Sequence, residues 1–149
     1  MLLVGWKTQS PTVYSMLKGR FMFETYFTSI LCALILGGET EVAHQYSVGY
    51  EMHHVRVDCE IASHVLEVGL DKRSSLDSVQ QALFAAGLTG KSPMVVIIDT
   101  DGREGQYELR IRRAAKMAGV EYRVYQKDFL IRWQMTEYLR NYPSIAAGV

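Results

Sequence analysis

The sequence has no apolar run of the roughly 18 residues that a membrane-spanning helix needs. Its 149 residues carry 16 Lys/Arg and 16 Asp/Glu, so the formal net charge is zero and provides no overall attraction to nucleic acid or to an anionic membrane. It also has no internal repeat, low-complexity segment or linker-like composition. These absences favour a single domain over residues 1–149, without a membrane partner, and a cytoplasmic location with export left open.

Cysteine is scarce as well. The chain has two, Cys32 and Cys59, and no Cys/His spacing matches a structural zinc site. Because disulfides form in oxidising compartments, we predict that both are reduced thiols in the core. A disulfide between them is expected only if the protein is exported.

Hydrophobic periodicity predicts an α+β fold with a mixed central sheet. The first helix is expected at residues 20–36, where apolar residues follow the i, i+3, i+4 pattern and Gly37-Gly38 then end the helix. Residues 1–19 are an N-terminal extension that begins with a candidate edge strand at 1–6. The rest of the predicted core ends near residue 125. It comprises strands 40–48, 54–59 and 63–70, helix 72–88, strand 93–99, helix 104–118 and strand 121–125. A C-terminal helix is expected after it at 128–138.

Two acidic residues stand inside the apolar second and third strands. They are Asp58 in VRVDC and Glu67 in HVLEV. A carboxylate is costly to bury unless it is paired, hydrogen-bonded or bound to a metal. If the antiparallel register aligns the two residues, their oxygens converge into the environment that Mg²⁺ prefers. The alternative is that both are exposed acids on the solvent face of the sheet.

The order and spacing of short motifs carry a family resemblance. GGETEV, VRVDC, VLEV, QALFAA and TGKSP follow one another in an αβββαβ order between about residues 28 and 125. This arrangement resembles the PD-(D/E)xK nuclease superfamily, which has the restriction-endonuclease-like fold, and in particular its small bacterial and phage members. The resemblance implies Mg²⁺- or Mn²⁺-dependent cleavage of phosphodiester bonds in DNA.

The resemblance also implies roles for individual residues. Asp58, Glu67 and the backbone carbonyl of Val68 would be metal ligands. Glu41, or Glu24 on the first helix, would contribute through a water molecule, and Gln81 matches a glutamine on the helix behind the site.

The chain departs from the family motif at one position. Gly69 stands where a lysine normally follows the acid of the third strand by two residues. Lys72 is the best replacement as the catalytic cation and Arg73 the next, although both also fit a solvated helix start. If neither reaches the site, the protein is a catalytically inactive relative that acts as a binding or structural module. An unrelated α+β protein that works through protein partners is a further hypothesis, and the apolar N-terminal segment with Trp6, Tyr14 and Met16 is its candidate oligomer contact.

Overall fold

The computed structural model describes residues 23–141, so the candidate edge strand at 1–6 lies outside the described residues. Within that range a five-stranded mixed sheet is flanked by helices, and the predicted α+β class is confirmed. The strands are β1 Glu39–Val48, β2 Glu51–Glu60, β3 His64–Leu70, β4 Ser92–Asp99 and β5 Glu121–Gln126. The helices are α1 at 23–35, with Ile30–Ile35 as a π-helix, α2 Ser78–Thr89, α3 Gln106–Ala118, α4 Lys127–Met135 and α5 Glu137–Asn141.

The strands lie in chain order across the sheet, β1-β2-β3-β4-β5. The first three are antiparallel neighbours, whereas β3, β4 and β5 run parallel. Each parallel connection passes through a helix, α2 or α3, because a parallel crossover needs more chain than a hairpin does. The carboxyl ends of β3, β4 and β5 therefore meet at one edge of the molecule.

Apolar layers cover both faces of β4. On one face Met94, Val96 and Ile98 pack with α1 and α4. On the other face Val95 and Ile97 pack with α2 and α3. A strand with alternate residues in both layers reads as a continuous apolar run, which is why residues 93–99 were predicted as a doubly buried strand.

The second helix begins later than predicted. Instead of starting at Lys72, the chain makes a 3-10 turn at Arg73–Ser75, and α2 starts only at Ser78. The hydroxyl of Ser75 donates to the Leu70 carbonyl at 2.6 Å and is buried against β3. This local bond holds the segment against the strand end and delays the helix.

The two cysteines form a disulfide, so the prediction of reduced thiols is wrong. Cys32 in α1 and Cys59 in β2 are both fully buried, and their Cα atoms are 5.6 Å apart. The bond joins residues separated by 27 positions. Closing a loop of this length lowers the entropy of the unfolded chain and is worth about 3–4 kcal/mol. It fixes α1 against β2 beside Asp58.

A membrane-spanning helix needs both length and apolarity. None of the helices between residues 23 and 141 is both long enough and apolar enough to cross a bilayer.

Candidate functional site

The site forms where β2 and β3 separate. Their register pairs Cys59 with Leu66 and Glu60 with Val65, and its continuation places Asp58 opposite Glu67. Here the Asp58 side chain takes the place of a backbone acceptor. Its Oδ2 accepts a hydrogen bond from the Val68 N–H at 2.9 Å. The separation of the strands thus opens a gap into which both carboxyl groups project.

A cavity of about 290 Å³ lies at this gap and is lined by residues of α1, β2, β3, the 3-10 turn and α2. Asp58 and Glu67 lie on its strand side. Glu24 reaches it from α1, and Ser78 and Gln81 reach it from the first turns of α2. The structure therefore brings Glu24 and Gln81, which lie 57 positions apart by their numbers, to the same cavity as the two strand acids.

Glu67 is the least solvated acid of this cavity. The residue is 5% exposed, and burial together with the nearby Asp58 charge raises its pKa to about 9. Burial also raises the pKa of Asp58, although the Val68 N–H opposes that shift. The pair therefore shares a proton at neutral pH, with the Glu67 hydroxyl donating to the Asp58 carboxylate.

One oxygen of Glu67 is left without a partner. Among the described residues its Oε1 is buried and accepts no hydrogen bond. A buried polar atom in this state costs free energy of about 1–3 kcal/mol. A bound cation would satisfy this oxygen. The unpartnered Oε1 of Glu67 is therefore the observation that supports a cation at this position.

Glu41 lies on β1 at the level of Asp58. Its backbone has a φ of 59°, a left-handed conformation that interrupts the ladder between β1 and β2 at that point. Its negative charge adds to the rise in pKa of both Asp58 and Glu67. Its carboxylate pairs with Arg56 at 3.1 Å. The negative charge of Glu41 therefore disfavours ionisation of Asp58 and Glu67. The positive charge of Arg56, which lines the cavity, offsets part of this effect.

The carbonyl of Val68 faces the same gap. In an extended strand the N–H and C=O of one residue point toward the same neighbouring strand. Because the Val68 N–H donates to Asp58 on β2, its carbonyl also points toward β2. A backbone oxygen thus lies on the same side of β3 as the Asp58 carboxylate.

Lys72 and Arg73 lie elsewhere. The Lys72 ammonium is 3.4 Å from Asp71 Oδ1, and its side chain lines a different cavity, between α1 and α4. Arg73 is exposed and does not line the cavity of Asp58 and Glu67. The chain turns where β3 ends at Leu70, and this turn brings Ser74 and Ser75 to the cavity instead of Lys72 or Arg73.

Gly69 has a steric reason to be glycine. A Cβ at this position would lie 2.2 Å from Ser75 Oγ and 2.7 Å from Ser75 Cβ. Ser75 itself lines the cavity of the two acids. The space that a side chain at position 69 would need is therefore filled by Ser75.

We expect Gly69→Ala to lower the free energy of unfolding by about 1–3 kcal/mol, because the new methyl group overpacks a buried contact. Gly87→Ala is the matched control, since a Cβ there meets nothing within 4 Å and alanine favours the helix by about 0.5–1 kcal/mol. Urea denaturation of both variants measures the two effects. A Gly69→Ala protein as stable as the parent would contradict the contact with Ser75.

A second acidic group was missed in the sequence. Asp71, Asp99 and Asp101 bring carboxylate oxygens within 4.8 Å of one another, which is close enough to hold a metal ion. The available signal is their position at or just beyond the ends of parallel strands, whose carboxyl ends meet at one edge. Unlike Oε1 of Glu67, the carboxylates of Asp71 and Asp99 accept local hydrogen bonds. Asp71 accepts bonds from Thr100, and Asp99 accepts from the backbone of Asp101 and Gly102.

Comparison with known proteins identifies no relative: no family model matches the chain, and no curated protein or solved structure matches it either.

Proposed function

We propose that this protein is a metal-dependent nuclease that cleaves phosphodiester bonds in DNA and has the restriction-endonuclease-like fold. The strand order supports the fold, since three antiparallel strands followed by a helix and a parallel strand give the αβββαβ order of that superfamily. The observation that carries the function is the Asp58–Glu67 pair with its unsatisfied buried oxygen.

The residues present fit a divalent cation. Asp58, Glu67 and the Val68 carbonyl would hold it, an all-oxygen set of the kind that Mg²⁺ and Mn²⁺ accept. When bound, such an ion polarises a phosphodiester and lowers the pKa of its water. The Val68 N–H holds the Asp58 carboxylate in place, and the disulfide at Cys59 fixes β2 next to it.

Other cavity residues contribute polar groups. The Gln81 amide and the Ser78 hydroxyl line the opposite wall and offer donors to a phosphate oxygen. Glu24 completes the acidic side from α1. These side chains would hold the scissile phosphate in a fixed orientation between the two walls of the cavity.

The absence of a lysine supports a second candidate function. Among residues 23–141 the basic side chain that lines the cavity is Arg56, which is paired with Glu41. A cation that stabilises the developing negative charge is normally part of a nuclease site. The alternative is therefore a catalytically inactive protein of this fold that uses the site for binding or structure.

Cleavage of supercoiled plasmid separates the two candidates. An active nuclease nicks the plasmid with Mg²⁺ or Mn²⁺ and stops in EDTA. Asp58→Asn and Glu67→Gln are each expected to reduce the rate at least ~100-fold, because direct ligands matter more than their supporting partners. Glu39→Gln, an exposed acid at the start of β1, is the control.

The outcomes of this test differ clearly. Nicking that survives both substitutions indicates contamination and removes the assignment. Mg²⁺ binding that depends on Asp58 and Glu67 without any nicking supports the inactive alternative.

A further inference from the structure

A groove between α1 and α4 lies beside the Asp58–Glu67 cavity. Its volume is about 360 Å³. We call it the α1–α4 groove, and its lining is Phe23, Phe27, Leu70, Lys72, Thr100, Lys127 and Ile131. Most of the lining is apolar, but two lysines also contribute to it.

The groove and the acidic cavity are both lined by residues of α1 and β3. On α1, Phe23 lines the groove and the next residue, Glu24, lines the cavity. On β3, Val68 lines the cavity and Leu70 lines the groove. Neighbouring residues of α1 and β3 therefore line the two sites.

The groove combines the two properties that bind a nucleotide. Phe23 presents an aromatic ring that is 62% exposed, above the buried Phe27. Lys127 forms no ion pair with a residue of the described range, and Lys72 lies 3.4 Å from a single carboxylate. Aromatic rings stack with bases, and lysines neutralise phosphates.

We propose that the α1–α4 groove holds an unpaired nucleotide of the substrate strand, with its base against Phe23 and its phosphate between Lys72 and Lys127. A base inside a duplex is stacked on both sides and does not expose its face to such a ring. The substrate class is therefore nucleic acid with a single-stranded segment next to the cleaved bond. This inference rests on the proposed function, and it gives Lys72 a binding role in place of a catalytic one.

Fluorescence anisotropy with labelled oligothymidylate in EDTA tests the groove without cleavage. The full chain is expected to bind the single strand more tightly than a duplex of equal length. Phe23→Ala is expected to weaken single-strand binding about tenfold, the effect of losing one stacked base. The same substitution leaves binding to an abasic strand unchanged, and Phe23→Tyr keeps the affinity of the parent.

The lysines have a separate signature. Lys72→Ala and Lys127→Ala are each expected to weaken binding severalfold and to reduce the slope of log affinity against log salt by about 1. Lys116→Ala and Met117→Ala, both exposed on α3, are the matched controls for lost charge and lost apolar surface. Equal affinity for single strand and duplex, or unchanged binding by Phe23→Ala and Lys127→Ala, overturns the proposal.

A second copy of the chain is the competing occupant. If Phe23→Ala lowers the mass measured by sedimentation equilibrium and leaves oligothymidylate binding unchanged, the groove is a subunit contact and the proposal fails. Failure of the proposed function is recognised separately. If the protein does not nick plasmid but Phe23→Ala and Lys127→Ala still weaken binding of the single strand, the groove is supported and the nuclease assignment fails.

Discussion

The affinity of the protein for Mg²⁺ is expected to rise about tenfold for each pH unit between about pH 6 and about pH 8. Burial and the Asp58 charge raise the pKa of Glu67 to about 9, so the pair holds a proton throughout this interval. The ion requires carboxylates, and the proton must leave when it binds. One proton released per ion gives a tenfold change in affinity for each pH unit, and the slope should flatten above about pH 9.

Isothermal titration calorimetry in buffers of different ionisation enthalpy measures the Mg²⁺ affinity and the number of protons released for each bound ion. We expect about one proton released for each bound ion near pH 7. Glu51→Gln, at the exposed hairpin end, keeps the same slope as the parent. Glu67→Gln removes a ligand and is expected to abolish binding. An affinity that stays constant from about pH 6 to about pH 8 would contradict proton displacement from the pair.

The acidic pair was accessible from sequence because strand geometry is regular. Side chains alternate along a strand, and a short connection between β2 and β3 leaves few possible registers. The register that aligns Asp58 with Glu67 is the one in the structure. Gln81 and Glu24 also reach the cavity, although sequence pattern alone did not distinguish them from surface residues.

Hydrophobic periodicity does not determine where Lys72 lies relative to the site. The sequence predicts a helix that starts at Lys72 near the site, but α2 begins at Ser78. The contact between Gly69 and Ser75 and the bond from Ser75 to the Leu70 carbonyl determine this segment. Such contacts depend on how the chain folds back on β3, which a helical pattern does not report.

The disulfide and the second acidic cluster have a similar explanation. Cys32 and Cys59 meet because α1 packs across β2, and spacing in the chain does not specify that packing. Asp71 and Asp99 meet because β3 and β4 are parallel and in register. Apolar runs predict the strands themselves, whereas the convergence of their ends follows from the parallel pairing of β3 and β4. Relations between elements were thus harder to predict than the elements.

The stability of the metal-free protein should reveal the buried acid independently of any bound ion. We expect the free energy of unfolding to fall by about 4 kcal/mol from about pH 5 to about pH 8 because of Glu67, at about 1.36 kcal/mol for each pH unit. The unfolded chain releases this proton near the ordinary value of 4.5, whereas the folded chain keeps it until about pH 9. The unfolded state therefore binds fewer protons in this interval, and the free energy of unfolding decreases as pH rises.

Glu67→Gln isolates this contribution because the amide has the shape of the protonated acid but does not titrate. In EDTA, the free energy of unfolding of Glu67→Gln is expected to fall by about 4 kcal/mol less than that of the parent between about pH 5 and about pH 8. At about pH 8 the variant is expected to be more stable than the parent. Urea denaturation at the two pH values, with Glu39→Gln as the exposed control, measures the difference. If parent and Glu67→Gln lose stability equally as pH rises, Glu67 is ionised in the folded protein, and the buried shared proton is excluded.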